Sequence, residues 1–372
     1  NDFNEDISSW DTSSVVNMSG MFYRASLFNQ PLNWDVSIVT NMSAMFYQAY
    51  AFNQPLSWDT SNVTYMNAMF RDAKAFNQPL NWDTSSVTTM SFMFRDANVF
   101  NQPLNFSDTS NVTTMAFMFY GASAFNGTLT FSDTSSVVNM SEMFKNATSF
   151  NQPLNFNTSG VMSMQQMFYT AIAFNQPLNF NTSSLTAVFG MFNGATSFNS
   201  SLNFTDTSSI ENMSNVFKNA TSFDQTLTWD TSSVENMSSM FNGATSFNSS
   251  LNWDTSIVLN MEEMFRDSTS FDKPLNFDTS SVTQMSLMFQ NVILSTTNYD
   301  LILVYWEGYL QTAFPGGVGY TPNISVSFNG AKYTCASAAQ TARTSLINTF
   351  GWIITDGGST ACTPITDFDF YT

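Results

Sequence analysis

Histidine is absent from the 372 residues, lysine and arginine together number 10, and there are only two cysteines. Without histidine the chain lacks the commonest general base and the commonest metal ligand. Charged residues make up 10%, against roughly 25% in an ordinary soluble domain. Because 28 acids face those 10 bases, the net charge is −18, which repels nucleic acid and anionic membranes. The longest uniformly apolar run, Leu301 to Trp306, is far too short for a membrane span. What is abundant is hydrophobic material, 43% of the chain, and that excludes a solvated acidic coil. The length suits about two or three ordinary domains or one extended repeat array.

The sequence repeats itself. FNQPLNWDVSIVTNMSAMFYQAYA from Phe28 recurs as FNQPLSWDTSNVTYMNAMFRDAKA from Phe52 and as FNQPLNWDTSSVTTMSFMFRDANV from Phe76. The leading phenylalanines fall at 3, 28, 52, 76, 100, 125, 150, 174, 198, 223, 247 and 271, giving twelve copies with a period of 24 or 25. The longer copies at Phe100, Phe125 and Phe198 gain their residue just before the Asp, and the copy at Phe3 gains one just before Trp10. Insertions therefore gather at one corner of the unit.

Aligned copies separate core from surface. One column is always Phe, the next Leu (Leu32, Leu56), the third Trp or Phe (Trp34, Phe106), the fourth Val, Ile or Leu (Val39, Leu185). Two Met columns follow, then a second Phe and a small residue, as in Met42, Met45, Phe46 and Ala49. All 23 methionines lie inside the repeats, and every one but Met162 occupies those two columns. Leu32 and Trp34 alternate with Asn33, the period of a strand with one buried face. From Val39 to Ala49 the apolar steps are three and four, which predicts a helix. Asp-Thr-Ser between them suits a turn and a helix N-cap. The pattern predicts an α/β solenoid of twelve strand–turn–helix coils over residues 1–291, stacked because no unit can bury its own face. At about 4.8 Å per coil that is a rod of roughly 55 Å.

The pattern F-N-Q-P-L-x-W-D-T-S-x-V-T-x-M-x-x-M-F-x-x-A resembles the BspA-like repeat, a divergent leucine-rich-repeat class of bacterial, protist and mycoplasma surface proteins, from residue 1 to about 291. The tail, with NYDLILVYW, SVSFNGAKYTC and TSLINTFGWIITDGG, resembles the cap that closes such arrays. The resemblance implies an extracellular or cell-surface location, a part in adhesion or interaction, and no catalytic activity. Ordinary leucine-rich repeats carry several Leu per unit, whereas here Phe, Met and Trp replace all but one, so horseshoe curvature does not follow.

Residues 292–372 break the period and read as a small α+β cap: helices at 298–310 and from Ser337 to Phe350, strands at 324–328 and 352–355. Cys335 and Cys362 lie here. With no His to share a metal, they read as a disulfide of an oxidising compartment, closing a 27-residue separation for roughly 3 kcal/mol. The chain begins Asn-Asp-Phe inside a repeat, so a processed leader or a longer product is expected; missing upstream chain is the favoured cover for Phe3, Ile7 and Trp10, a neighbouring subunit the alternative.

Several columns invite chemistry. Ten aspartates (Asp11, Asp35, Asp59, Asp83, Asp108, Asp133, Asp206, Asp230, Asp254, Asp278) form a ladder that could bind calcium. Asn157 and Asn181 replace Asp without disturbing the repeat, so capping is the better reading, and no metal or cofactor is expected. The Asn column (Asn29, Asn53, Asn77, Asn101) reads as an internal ladder satisfying backbone groups. The aromatic column at Trp34 could stack sugars, but its alternation with Leu32 says core, and the Met columns read as gap-filling core. Sequons at Asn17, Asn41, Asn62, Asn111, Asn139, Asn146, Asn219, Asn236 and Asn323 are candidates for glycosylation, although the N-M-S and N-V-T triplets arise automatically from the repeat.

The residues after Met-Phe (Tyr23-Arg24, Arg71-Asp72, Arg95-Asp96, Lys145-Asn146, Tyr169-Thr170, Lys218-Asn219, Arg266-Asp267) vary and carry six of the ten basic residues, so they read as a solvent-facing helix side. The mid-strand column (Asn33, Ser57, Asn81, Asn105, Thr130, Asn155, Asn179) is the candidate interaction face, a polar strip open to a protein, a glycan or another copy. No Ser-His, Cys-His or clustered-carboxylate set is visible, and Glu262-Glu263 does not recur. The expected function is non-catalytic adhesion or recognition at the cell surface. The alternative is a structural subunit of a self-associating extracellular filament, appendage or surface layer.

Overall fold

Each apolar column stacks on its counterpart one repeat away. The structure, a computed structural model, describes residues 2–106 and 108–362. The second Phe column runs in near-parallel rings, 5.3 Å from Phe22 to Phe46, 5.5 Å from Phe46 to Phe70 and so on to Phe289. The leading Phe column interlocks with it, Phe46 lying 4.0 Å from Phe52. Such ring pairs contribute about 0.5–1.5 kcal/mol each beyond their buried area. Met42, Met45, Val39, Leu32 and Ala49 and their equivalents fill the space between, and one apolar cluster extends unbroken from Ile7 to Trp352. Tandem repetition is thus the physical basis of the core: no single repeat encloses its own apolar face.

The backbone follows the same stacking. Parallel bridges link Asn17 to Asn41, Asn41 to Tyr65 and each successor as far as Gln284. Among the described residues only two repeats pair over three residues, as β1 (Leu104–Phe106) and β2 (Leu129–Phe131), in parallel with Leu104 opposite Leu129. Elsewhere in the described array the strand side is extended chain held mainly by side chains.

The Met-Phe segment is not helical, contrary to its spacing of three and four. The N–H groups of Met18, Gly20, Phe22 and Arg24 donate to Asn41, Ser43, Met45 and Tyr47 of the next repeat, at 2.8–2.9 Å. The intervening N–H groups of Met21, Tyr23 and Ala25 close tight turns on Met18, Gly20 and Phe22. Every fourth residue takes a positive φ, as at Gly20 (64°), Arg24 (60°), Ala44 (53°) and Gln48 (59°). A helix would spend every amide within its own segment, and one of eight or nine residues is marginal in water. Directing alternate amides to the neighbour satisfies the backbone while still turning both Met columns and the Phe inward.

Both α-helices among the described residues lie beyond the repeats. Helix α1 (Thr296–Ala313) starts at Ser295, whose hydroxyl accepts from the Asn298 N–H, and buries Tyr299, Ile302, Leu303, Trp306 and Leu310. Helix α2 (Ala338–Asn348) is capped by Ser337, as its sequence predicts, and ends two residues before Phe350. Strands β3 (Ser325–Ser327) and β4 (Ile353–Thr355) pair in parallel. Phe289 of the last repeat packs against Phe328 at 5.2 Å and Trp306 at 6.3 Å, so these elements cover the end of the apolar column. A disulfide joins Cys335 to Cys362, Cα to Cα 5.4 Å. Asp356, its side chain 3% exposed, accepts from the Tyr299 hydroxyl at 2.5 Å, from Arg343 Nε at 2.7 Å and Nη2 at 3.1 Å, and from the Gly358 N–H. Burial and this carboxylate push the Tyr299 hydroxyl far above its ordinary pKa.

Candidate functional site

The columns that the sequence marks as chemical divide sharply once placed. The Asn column is internal scaffolding: Asn53 N–H donates to Asn29 Oδ1, Asn77 to Asn53, Asn101 to Asn77, each at 2.9 Å. The line continues through Asp224 and Asn248 to Asp272, which receives Ser295 N–H and Oγ and Asn298 Nδ2 at 2.8–2.9 Å. The last rung of the array therefore holds the start of α1. Burial alone would raise the Asp272 pKa, but the hydrogen bonds from Asn298 and Ser295 outweigh it and hold the carboxyl below its usual range.

The aspartate ladder is exposed except at the half-buried Asp108, Asp133 and Asp278, and works as turn chemistry. Oδ1 of Asp35 accepts the Ser37 N–H at 2.9 Å, and Asp59, Asp83, Asp108, Asp133, Asp206, Asp230, Asp254 and Asp278 do the same for the serine two residues on. Asn157 and Asn181 substitute with their amide oxygens. No helix follows, so these are Asx turns and not helix caps. Serine side-chain and backbone hydrogen bonds lower the Asp35 and Asp59 pKa, against the repulsion of Asp11 and Asp35 respectively. The carboxylates are spaced one per repeat, and among the described residues no three acidic or sulfur ligands converge.

A buried threonine ladder beneath those aspartates was not read from the sequence. Thr134 Oγ1 donates to the Asn157 carbonyl at 2.9 Å, Thr158 to Asn181 at 2.8 Å and Thr231 to Asp254 at 2.7 Å. Where the next repeat carries the extra residue, Thr84, Thr109 and Thr182 make the same bond to Asp108, Asp133 and Asp206. Thr279, with no further Asp beyond it, is buried without a partner. The signal was the invariance of Thr in D-T-S, broken only by Val36, where a solvent-facing turn residue would vary.

The aromatic column at Trp34 is core beyond its first rung: Trp34 is 5% exposed and its indole N–H donates to the Ile7 carbonyl, Phe131 and Phe204 are half-buried, and Trp10 is 54% exposed. In the Met columns Met21, 40% exposed, departs from its buried counterparts. The variable pair after Met-Phe lies on the turn side in place of the expected helix. There Arg71 sits over the Tyr47 and Phe92 rings at 4.9 and 5.7 Å, and Arg95 over Tyr120 at 4.4 Å. Lys145 bonds Glu142 at 2.9 Å, and Arg266 bonds Glu263 at 2.6 Å. These cations are committed to neighbours in their own rank. Glu262 likewise accepts from Ser286 in the next repeat.

Among the sequons, Asn17, Asn62, Asn111, Asn219 and Asn323 are exposed, and Asn41, Asn139, Asn146 and Asn236 half-buried. Asn62 and Asn111 donate their amide nitrogens to Ser37 and Ser85 carbonyls of the preceding repeat. Asn33, Ser57, Asn81, Asn105, Thr130, Asn155 and Asn179 are all exposed. They form one uncharged line along the strand side, flanked by exposed Pro31, Pro55 and Pro79. Among the described residues no helix is long and apolar enough to cross a membrane.

A family model described as Mycoplasma protein of unknown function, DUF285, matches residues 1–80, 56–155, 127–228, 153–251 and 224–301. No curated protein and no solved structure matches the chain.

Proposed function

The chain belongs to the Mycoplasma DUF285 family, and from that premise we propose that it is a non-catalytic recognition protein of the cell surface or the extracellular space. In this reading it is a BspA-like solenoid of twelve coils closed by the segment from residue 292, and it binds a protein or glycan along the strand side. The carrying observation is the line from Asn33 to Asn179, whose side chains are exposed while the neighbouring polar columns are consumed by ladders. Regular spacing of short uncharged polar side chains, Asn at five of the seven positions with Ser57 and Thr130 at the others, suits an extended ligand that meets a similar group at each step, although Asn179 Oδ1 already accepts from Asn203 Nδ2 at 2.6 Å. The cap disulfide suits an oxidising compartment, and the exposed sequons are the proposed attachment points if glycans are present.

The test uses the full chain on a printed panel of extracellular-matrix proteins and glycans. A triple variant, Ser57→Arg, Asn81→Arg and Asn105→Arg, should lose at least tenfold in affinity for any ligand retained, with circular dichroism unchanged. Undiminished binding by that variant would overturn the strand-side assignment. Electron microscopy of the purified protein separates the competing reading: discrete rods support recognition, and ordered filaments with a repeat of one capped array would make the chain a structural subunit.

A further inference from the structure

Helix α1 has a glycine where its own packing requires none. Gly308 lies in the interior of an 18-residue helix, where glycine is unfavourable relative to alanine. A Cβ built there meets nothing within 4 Å, so no internal crowding explains it. The residue lines a shallow, open groove of about 250 Å³ together with Val304, Tyr305, Tyr309, Thr312 and, from the last repeat, Asn276. Asn276 belongs to the same mid-strand column as Asn33 and Asn179, so the exposed amide line runs into this groove. Among the described residues the Asn276 amide and the Tyr305 and Tyr309 hydroxyls have no hydrogen-bond partner. The Thr312 hydroxyl is turned back to the Gly308 carbonyl at 2.8 Å.

We propose that this groove is a binding subsite for a neutral saccharide, the end of a chain that continues along the strand-side amides. It rests on the recognition reading above and names the ligand class and the position of its anchoring unit. Two tyrosines one helical turn apart offer ring faces and edges to sugar C–H groups. Gly308 beside them lets a pyranose approach the helix backbone, and the lining adds the Asn276 amide from the last repeat to the two tyrosine hydroxyls of α1. None of the lining residues is charged, in a chain of net charge −18, so an anionic polymer has nothing there to offset its repulsion. A volume of 250 Å³ suits a single sugar unit, and its weak intrinsic affinity would be raised by repeated contacts along the line.

The experiment is native gel electrophoresis of the full chain through gels containing mannan, xyloglucan, galactomannan or a mixed-linkage β-glucan. Retardation by at least one of them is expected, and Gly308→Gln or the pair Tyr305→Ala and Tyr309→Ala should raise its apparent dissociation constant at least tenfold. Gly308→Gln should not lower the thermal midpoint, which separates a filled groove from a damaged fold. If no neutral polymer retards the protein while matrix proteins are bound, or only sulfated polymers retard it, the subsite is wrong and the recognition reading survives. Loss of retardation in the Ser57, Asn81 and Asn105 triple variant, with Gly308→Gln unaffected, would also place binding on the line and overturn the groove. Failure of every glycan and every protein to bind would take both readings down together.

Discussion

The repeats and the capping segment solve the same packing problem in opposite ways. In the array each bond is made many times: a Thr hydroxyl to the next Asp or Asn carbonyl, an Asn amide oxygen to the next N–H, one Phe ring on another. No single rung is decisive. In the cap each contact occurs once: Asp356 bonds α1, α2 and the chain after β4 through Tyr299, Arg343 and Gly358, and Ser345 of α2 joins Gln311 and Glu307 of α1. Redundancy makes a repeat tolerant of substitution, whereas a one-off buried carboxylate leaves the cap dependent on a few side chains.

The contrast can be broken most forcefully at Arg343. Arg343→Ala strands the buried Asp356 carboxylate, and we expect a cap destabilised by about 3 kcal/mol or more. Chemical denaturation followed by hydrogen exchange should show the loss confined to residues beyond 295, with the array still protected. Reduction of Cys335–Cys362 comes next, at about 3 kcal/mol from released loop entropy. Proteolysis should then begin in the cap, and cleavage starting within the repeats would show the two regions to be less independent than their contacts imply.

A smaller effect concerns the seam. Because the folded Asp272 carboxyl is held below its ordinary value, its contribution is present above about pH 4. It is lost as pH falls through the folded-state value. Asp272→Asn should flatten the acid limb of the stability curve, and an unchanged limb would remove Asp272 from the seam. Within the array, Thr134→Val should cost about 1 kcal/mol, while Thr279→Val, at a hydroxyl without a partner, should be neutral or stabilising. Equal effects at both sites would mean that the ladder bonds contribute nothing net. The smallest prediction is one of sign. Ala68 has φ 56°, so Ala68→Gly should gain up to about 1 kcal/mol less the unfolded-state penalty, where a helix would lose about that amount.

That sign marks the limit of what the sequence conveys. The core columns were legible because identity at a fixed period records side-chain volume, and Phe46, Met42 and Trp34 lie where that reading puts them. Ser337 caps α2 where the sequence places it, while α1 opens at Ser295, a cap not read from the sequence, and runs Thr296–Ala313 around the expected 298–310. The Met-Phe segment misled because steps of three and four describe which side chains face inward, and a ribbon of turns with every fourth residue left-handed faces the same ones inward. A countersignal existed: Asp72, Asp96, Gly121, Asn146, Gly194, Asn219, Gly243, Asp267 and Asn291 share one column, and these residue types tolerate positive φ. On the surface, exposure of the Asn33 line followed from strand alternation, whereas the Tyr305–Gly308–Tyr309 groove depends on how a unique helix meets the last repeat, which no periodicity encodes.

The direction of the bonds between repeats carries a mechanical consequence. They run along the stacking axis, so tension between the two ends loads the layers in series and not side by side. A chain so built yields by peeling one layer at a time at modest force. Each layer that parts releases about 80 Å of slack, the reach of 24 extended residues. A molecule anchored at one end and holding its partner near the other would give way stepwise under flow, as a shock absorber does, and re-form when the load is removed.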